Sequence, residues 1–298
     1  MARLSFDNEI RRNKIKSVLL MGVIIIFFII LGYIISALID PSYFFIIMII
    51  SIIFSISFTL YSFYNSDKIA LASVNAKPAS KVYHKELINS VENMALASGL
   101  PMPRVYVMES EQINAFASGR DPKNAVICVT TGALKKLSKQ ELEGVIAHEM
   151  GHVANFDIRF ITFVAVSVGI ISILAEIFLR SLWFSYNDNK GKGGAILIIL
   201  GIIFAILAPI VAQLVSLAIS RKREFGADAT GVKFTRSPTG LANALKKIKG
   251  DSISQQDKHH YPKAMASLFI SNPFKSKIKG LFSTHPDVDE RIARLERM

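Results

Sequence analysis

Apolar positions are distributed along this chain in two distinct ways. From Ser17 to Tyr64 the only charged residue is Asp40, and Asp40-Pro41-Ser42 reads as a turn between two uninterrupted apolar stretches. Each stretch is long enough to cross a hydrocarbon layer of about 30 Å as a helix, which predicts a helical hairpin over roughly 17–39 and 43–64. Two further stretches recur later: 160–179, interrupted only by Glu176, and 193–219, with no charge, joined by the short polar segment Ser181–Lys192. The first stretch follows Arg3, Arg11, Arg12, Lys14 and Lys16. It is too long for the 7–15-residue apolar core of a cleaved signal and leads directly into a second span, so it reads as an uncleaved anchor.

Between and after these spans the pattern changes to that of a water-soluble fold. Residues 83–98 predict a helix ended by Gly99 and Pro101. Arg104–Met108, Ile113–Phe116 and Ala125–Thr130 read as short strands, separated by turns at Glu109–Gln112 and Gly119–Lys123. Ser138-Lys139-Gln140-Glu141 has the form of a capping box. Leu142, Val145, Ile146, Met150 and Val153 then recur at helical spacing, with no proline from Ser138 to Asn155. Asp287–Met298 predicts an amphipathic C-terminal helix, and Ala264–Phe282, with Lys among Leu, Phe and Ile, predicts a segment lying on a membrane surface. The expected organisation is therefore a basic N-terminal segment and hairpin (1–64), a polar domain (65–157), a second hairpin (158–219) and a returning polar region (220–298).

Composition agrees with membrane residence. The chain has 298 residues, 51% of them hydrophobic, and a net charge of +12. The predicted external segments and Glu176 contribute nothing to that charge in sum, so it lies wholly in the segments expected to be cytoplasmic, as the positive-inside asymmetry of membrane proteins requires. Basic residues at Arg11-Arg12, Lys68, Lys77, Lys81 and Arg221-Lys222-Arg223 flank the spans, where anionic lipid accounts for them. No nucleic-acid-binding motif accompanies the charge, no Gly-rich phosphate loop indicates an ATP site, and the single cysteine, Cys128, permits no internal disulfide.

The candidate chemistry lies on the capped helix. His148-Glu149-Met150-Gly151-His152 has the form HExxH. Residues four apart stack on one face of a helix, so both imidazoles can address one zinc ion while Glu149 sits beside it. The adjacent position is rotated by about 100°, which suits Glu149 to a general base acting on water rather than to a ligand. Glu224 is the candidate third ligand, with Asp228 one turn on to support the site. Two crossings separate His152 from Glu224 in the predicted topology, so both fall on the same side. The bland alternative is a charged juxtamembrane helix with internal ion pairs. His84 and His259-His260 have no partners at ligand spacing and read as solvated. Glu176, four residues before Arg180, reads as paired near the membrane boundary.

Four runs resemble the HtpX family of bacterial membrane-integrated zinc metallopeptidases: Thr130–Leu134, Glu141–Asp157, Glu224–Asp228 and Ser283-Thr284-His285-Pro286. The similarity extends over essentially the whole chain, including Asn114-Ala115-Phe116-Ala117 and the placement of the four spans. The resemblance implies an α-helical integral membrane protein with four transmembrane helices and a cytoplasmic α+β zincin-like peptidase domain. It implies one Zn2+ per chain and an endopeptidase of the bacterial plasma membrane that acts on misfolded or damaged membrane proteins or unfolded polypeptides. It further implies Asn155 and Asp157 beside the ligands, Asn114, Ala115, Phe116 and Ala117 as a substrate-binding edge strand, and His285 as a donor to the transition state. A histidine packed in a turn before the last helix explains His285 equally well, and a half-buried strand explains Ala115 and Ala117. Two other readings differ in function: a non-catalytic scaffold or regulator with structural zinc, and a protease processing lipidated peptides.

Overall fold

The computed structural model describes residues 6–39, 41–169, 171, 221–251, 265, 267–271 and 287–298. The first hairpin consists of α1 (Phe6–Ile39) and α2 (Phe44–Tyr64), joined by a 3-10 turn over Pro41–Tyr43. Two segments of these helices, Asn13–Tyr33 and Phe44–Tyr64, are long and apolar enough to span a bilayer. They are not core helices of a water-soluble fold, because only 28% and 11% of these windows are buried. Phe45, Ile46, Ile49, Ile50 and Ile53 all face outward. The helices close on each other where Gly32 meets Ser51, since a Cβ on Gly32 would collide with the Ser51 hydroxyl.

Helix α1 starts at Phe6, well before the predicted boundary at residue 17. The extra turns bring Asn13, which is buried, against the polar domain at Asn155 and Asp157. The described part of the third predicted span, 157–169, is also helical (α7). Its Phe160, Phe163, Val164 and Val168 pack with Leu20, Ile24 and Phe28 of α1 and Phe63 of α2. The remainder of that span, the fourth span, Glu176 and the Ser181–Lys192 connection lie outside the described residues.

After the short helix α3 (Ser66–Ser73), the polar domain contains β1 (Lys77–Pro78), α4 (Lys85–Ser98), β2 (Arg104–Met108), β3 (Ala115–Ser118), β4 (Val126–Thr130), α5 (Thr131–Lys136) and α6 (Lys139–Ala154). The sheet order is β1-β2-β4-β3, with β2 and β4 parallel and both outer pairs antiparallel. Period-two alternation assigns its side chains to two cores. Val107, Ile127, Val129 and Ala115 face α4 and α6, while Met108, Val126, Cys128 and Phe116 face α3 and the segment around Phe269. Burial on both faces explains why β4 reads as a nearly continuous apolar run.

β3 lies two residues later than predicted. Ile113 and Asn114 leave the ladder because side chains take their amides: Ile113 N–H donates to Asp251 Oδ2 at 2.7 Å and Asn114 N–H to Thr130 Oγ1 at 3.0 Å. β1, only two residues long and containing a proline, gave no periodic signal.

Beyond the undescribed stretch, α8 (Arg221–Thr235), α9 (Thr239–Gly250) and α10 (Val288–Leu295) complete the domain. α6 is buried along almost its whole length between these helices, α4 and the sheet.

Candidate metal centre

Helix α6 begins as its sequence predicts. Ser138 Oγ accepts from Glu141 N–H, and Glu141 Oε2 accepts from Ser138 N–H at 2.7 Å, forming a capping box. Opposite it, α8 approaches at unusually short range. A Cβ on Gly151 would lie 2.8 Å from the Ala227 carbonyl oxygen, and one on Gly231 would lie 3.0 Å from His148 N. Small residues at both crossing points therefore let the Glu224 carboxylate reach the two histidines.

His148 Nε2 is 3.7 Å from Glu224 Oε2, and His152 Nε2 is 3.6 Å from Glu224 Oε1. One ligand atom from each of the three residues lies within 4.8 Å of the others. Tetrahedral zinc with bonds of about 2.0–2.1 Å sets its ligand atoms roughly 3.4 Å apart, so the three side chains would draw together to close on an ion. Among the described residues, it is the one cluster of three such side chains that could hold a metal ion.

Each histidine turns its other nitrogen to an acid. His148 Nδ1 is 2.8 Å from Asp228 Oδ1, and His152 Nδ1 is 3.1 Å from Asp157 Oδ2. This carboxylate–imidazole arrangement fixes the tautomer and leaves Nε2 for the metal. Asn155 behaves differently from Asp157: it is the C-cap of α6, contributes its backbone carbonyl, and makes no side-chain hydrogen bond to a ligand among the described residues.

Arg291 was not singled out in the sequence. Its guanidinium, 1% exposed, forks onto Asp228 with Nε–Oδ2 at 2.9 Å and Nη2–Oδ1 at 2.6 Å, and Nη1 lies 3.4 Å from Glu224 Oε2. Nη2 is almost equidistant from both His148 nitrogens, at 3.3 and 3.4 Å, so it lies beside the ring rather than along one lone pair. A signal existed: Val288, Arg291, Ile292 and Leu295 form one helical stripe, and an arginine on an apolar stripe needs a buried acid.

Glu149 is 2% exposed. Its Oε2 accepts from Ala117 N–H at 2.7 Å, while Oε1 is buried with no hydrogen-bond partner among the described residues. The pocket beside it is lined by His148, His152, Glu224, Ala117, Ile161 and Ile270. Burial raises the Glu149 carboxyl to about 7, assisted by the charge of Glu224 and opposed by His152 and the Ala117 amide. Burial and the Arg291 charge lower His148 to about 4, against the pull of Asp228, so it is neutral near pH 7. Burial alone would lower His152 as well. The Asp157 hydrogen bond and the charges of Glu224, Asp157 and Glu149 outweigh it and raise His152 to about 9. Arg291 and the bond from His148 overcome the burial of Asp228 and hold its carboxyl below the usual range.

Asn114, Ala115, Phe116 and Ala117 lie at the outer edge of the sheet, and of the four Ala117 lines the pocket. In the β3–β4 ladder Ala115 and Ala117 turn their backbone groups away from β4. The chain itself takes three of those four groups. Ala115 N–H donates to Asn114 Oδ1, Ala115 C=O accepts from Ile270 N–H at 3.0 Å, and Ala117 N–H is held by Glu149. The Asn114 amide also donates to Ser271 C=O at 2.8 Å, fastening residues 267–271 along the edge. His285 and the His259-His260 pair lie outside the described residues, and His84 stands apart, its Nδ1 accepting from Ser80 N–H.

A short sheet, an HExxH helix and a carboxylate from a later helix together make a metallopeptidase-like site. The chain belongs to peptidase family M48, which matches residues 82–298. It is 46% identical over 251 residues to the Protease HtpX homolog of Thermoanaerobacter pseudethanolicus, covering 83% of each chain. It is 40% identical over 298 residues to the Protease HtpX homolog of Dictyoglomus thermophilum, covering 100% of this chain and 96% of that one. The crystal structure of Ste24p from S. mikatae aligns with 95% of this chain at 21% identity and a TM-score of 0.48, and this chain spans 65% of its length.

Proposed function

We propose that this membrane metalloprotease is a zinc-dependent endopeptidase that cleaves misfolded or damaged membrane proteins, with its active site and both termini on the cytoplasmic face of the bacterial plasma membrane. The observation that carries the reading is the state of Glu149: one carboxylate oxygen is anchored by the Ala117 amide, and the other is buried without a partner among the described residues, beside the His148, His152 and Glu224 donors. A structural metal site gives no reason to hold an unpaired carboxylate there.

His148, His152 and Glu224 would hold a single zinc, with Asp228 and Asp157 fixing the two imidazoles. Bound there, zinc would supply a Lewis acid for the scissile carbonyl and lower the pKa of a coordinated water towards about 7. Glu149 takes the proton of the attacking water on Oε1 and passes it to the leaving amine, and the Ala117 amide keeps its carboxylate from rotating away. A substrate strand lies along Asn114–Ala117, where the Ala117 carbonyl accepts no hydrogen bond among the described residues and the Ala115 carbonyl exchanges the Ile270 amide for one from the substrate. His285 serves as the further donor to the developing oxyanion, a role that rests on the family resemblance. The cytoplasmic orientation is supported by the distribution of the +12 charge.

The test compares native protein with Glu149→Gln in detergent, at equal zinc content, on an unfolded polypeptide and a membrane-protein substrate. Losing the base costs at least 10²–10⁴-fold, the typical range for general acid–base assistance. Equal rates would overturn the mechanism.

A further inference from the structure

The first membrane helix reaches the zinc site. Asn13, 5% exposed at the start of the apolar run of α1, donates through its side-chain amide to Asp157 Oδ1 at 2.8 Å and to the Asn155 carbonyl at 3.2 Å. Both partners are pure acceptors, so the amide orientation is determined: nitrogen must face them. The other oxygen of the Asp157 carboxylate, Oδ2, bonds His152 Nδ1. A continuous path thus runs from Asn13 through Asp157 and His152 to the position facing Glu224.

Asn13 also lies beside the most constrained turn near the site. Between α6 and α7 the chain reverses at Phe156, a non-glycine residue at φ 57°. A left-handed L-residue costs roughly 1–2 kcal/mol and persists where its surroundings hold it. Here α1 supplies two contacts in succession. Asn13 engages the Asn155 carbonyl just before the turn and the Asp157 carboxylate just after it, while Lys14 Nζ sits 4.7 Å over the Phe156 ring. The turn determines where Asp157 stands, and Asp157 determines where His152 points.

We infer that Asn13 is a positioning residue for the metal centre, so that the first membrane helix is part of the peptidase site rather than an anchor alone. The inference rests on the zinc-peptidase reading above. Asn13 acts through Asp157 and touches neither metal nor substrate. Outer partners that bond a ligand directly are worth about 10–100-fold in metal affinity, and Asn13, one bond further out, is expected to contribute about threefold to tenfold.

The experiment uses the full chain in detergent and measures zinc affinity by competition with a chromophoric chelator, the visible spectrum of the cobalt-substituted protein, and kcat and KM separately. Asn13→Ala should weaken zinc by that factor, shift the cobalt bands and lower kcat with little change in KM. Asn13→Asp, of the same shape, removes the donor and sets a second carboxylate against Asp157, so its effect should be larger. Ser17→Ala, one turn along the same buried face, should leave all three readouts unchanged. In an Asp157→Asn background the Asn13→Ala effect should shrink, since coupled residues are non-additive. His152→Ala separates the two levels. If it retains native zinc affinity, the metal-site reading fails. If it loses zinc while either folded Asn13 variant keeps native affinity and cobalt spectrum, the Asn13 inference alone is overturned.

Discussion

The membrane hairpin and the peptidase core bury opposite kinds of side chain. In the hairpin, Phe45, Ile49, Ile50 and Ile53 point outward, while Asn13, Ser17, Ser55 and Thr59 are buried. In the peptidase core, Ile127, Val129, Ile146 and Met150 are buried, and the ionisable side chains of the metal centre, His148, Glu149, Glu224, Asp228 and Arg291, are buried with them. The surrounding medium explains the first difference, because lipid offers polar groups no partners and they turn inward. Chemistry explains the second, because a buried ionic cluster persists only when each member is paired. The two regions meet at Asn13, the buried amide of the hairpin that bonds into the metal centre, which makes the hairpin something other than a tether.

The largest difference between the regions should appear on breaking the ionic cluster. Arg291→Met leaves Asp228 buried without its cation, and removing one partner of such a pair costs about 3–5 kcal/mol. Chemical unfolding in detergent should show that loss, with zinc affinity falling in parallel, whereas Arg291→Lys, which keeps the charge but not the fork, should lose less. A change under about 1 kcal/mol for Arg291→Met would show that α10 does not brace the centre.

Next in size is the α6–α8 contact. Gly151→Ala places a methyl 2.8 Å from the Ala227 carbonyl, and overpacking of this kind costs about 1–3 kcal/mol. Because that contact sets the reach of Glu224, zinc affinity should drop as well, and native affinity in a folded Gly151→Ala protein would separate helix spacing from ligation.

The pH dependence of metal binding gives a graded effect. His152 has a raised pKa of about 9 in the metal-free protein, so zinc must displace its proton at any lower pH. His148, at about 4, is already neutral. Apparent zinc affinity should therefore rise about tenfold per unit from pH 6 to pH 9 and level off above that, with about one proton released per zinc below pH 8. A flat profile over pH 6–9 would remove the acid pairing of His152 from the account. The smallest effect belongs to the lipid-facing side of the hairpin, where Phe45→Leu should change stability by no more than about 0.5 kcal/mol.

Legibility in the sequence differs between the regions for physical reasons. Helix α6 was readable throughout, because its cap, apolar spacing and paired histidines are all local signals. Glu224 and Asp228 were readable because a helix places both on one face. Asn13 was not: it lies among Arg11, Arg12, Lys14 and Lys16 before the predicted span, and nothing in that polar run marks which residue meets another element. Arg291 is an intermediate case, since its place on an apolar stripe signalled a buried partner without naming it. Residues 267–271, the described stretch of the segment Ala264–Phe282, are held along the edge strand through the Ile270 amide and the Asn114 side chain, contacts between residues more than 150 positions apart that no local pattern records.

The most direct measurement is the zinc content of full-length protein purified in detergent, taken side by side for native, His148→Ala, His152→Ala and Glu224→Ala chains at one fixed free-zinc concentration. About one zinc per native chain is expected, as a single mononuclear site requires, and little or none in each variant. A native chain without zinc, or a Glu224→Ala chain that binds it as tightly as the native one, would rule out the three-residue metal site.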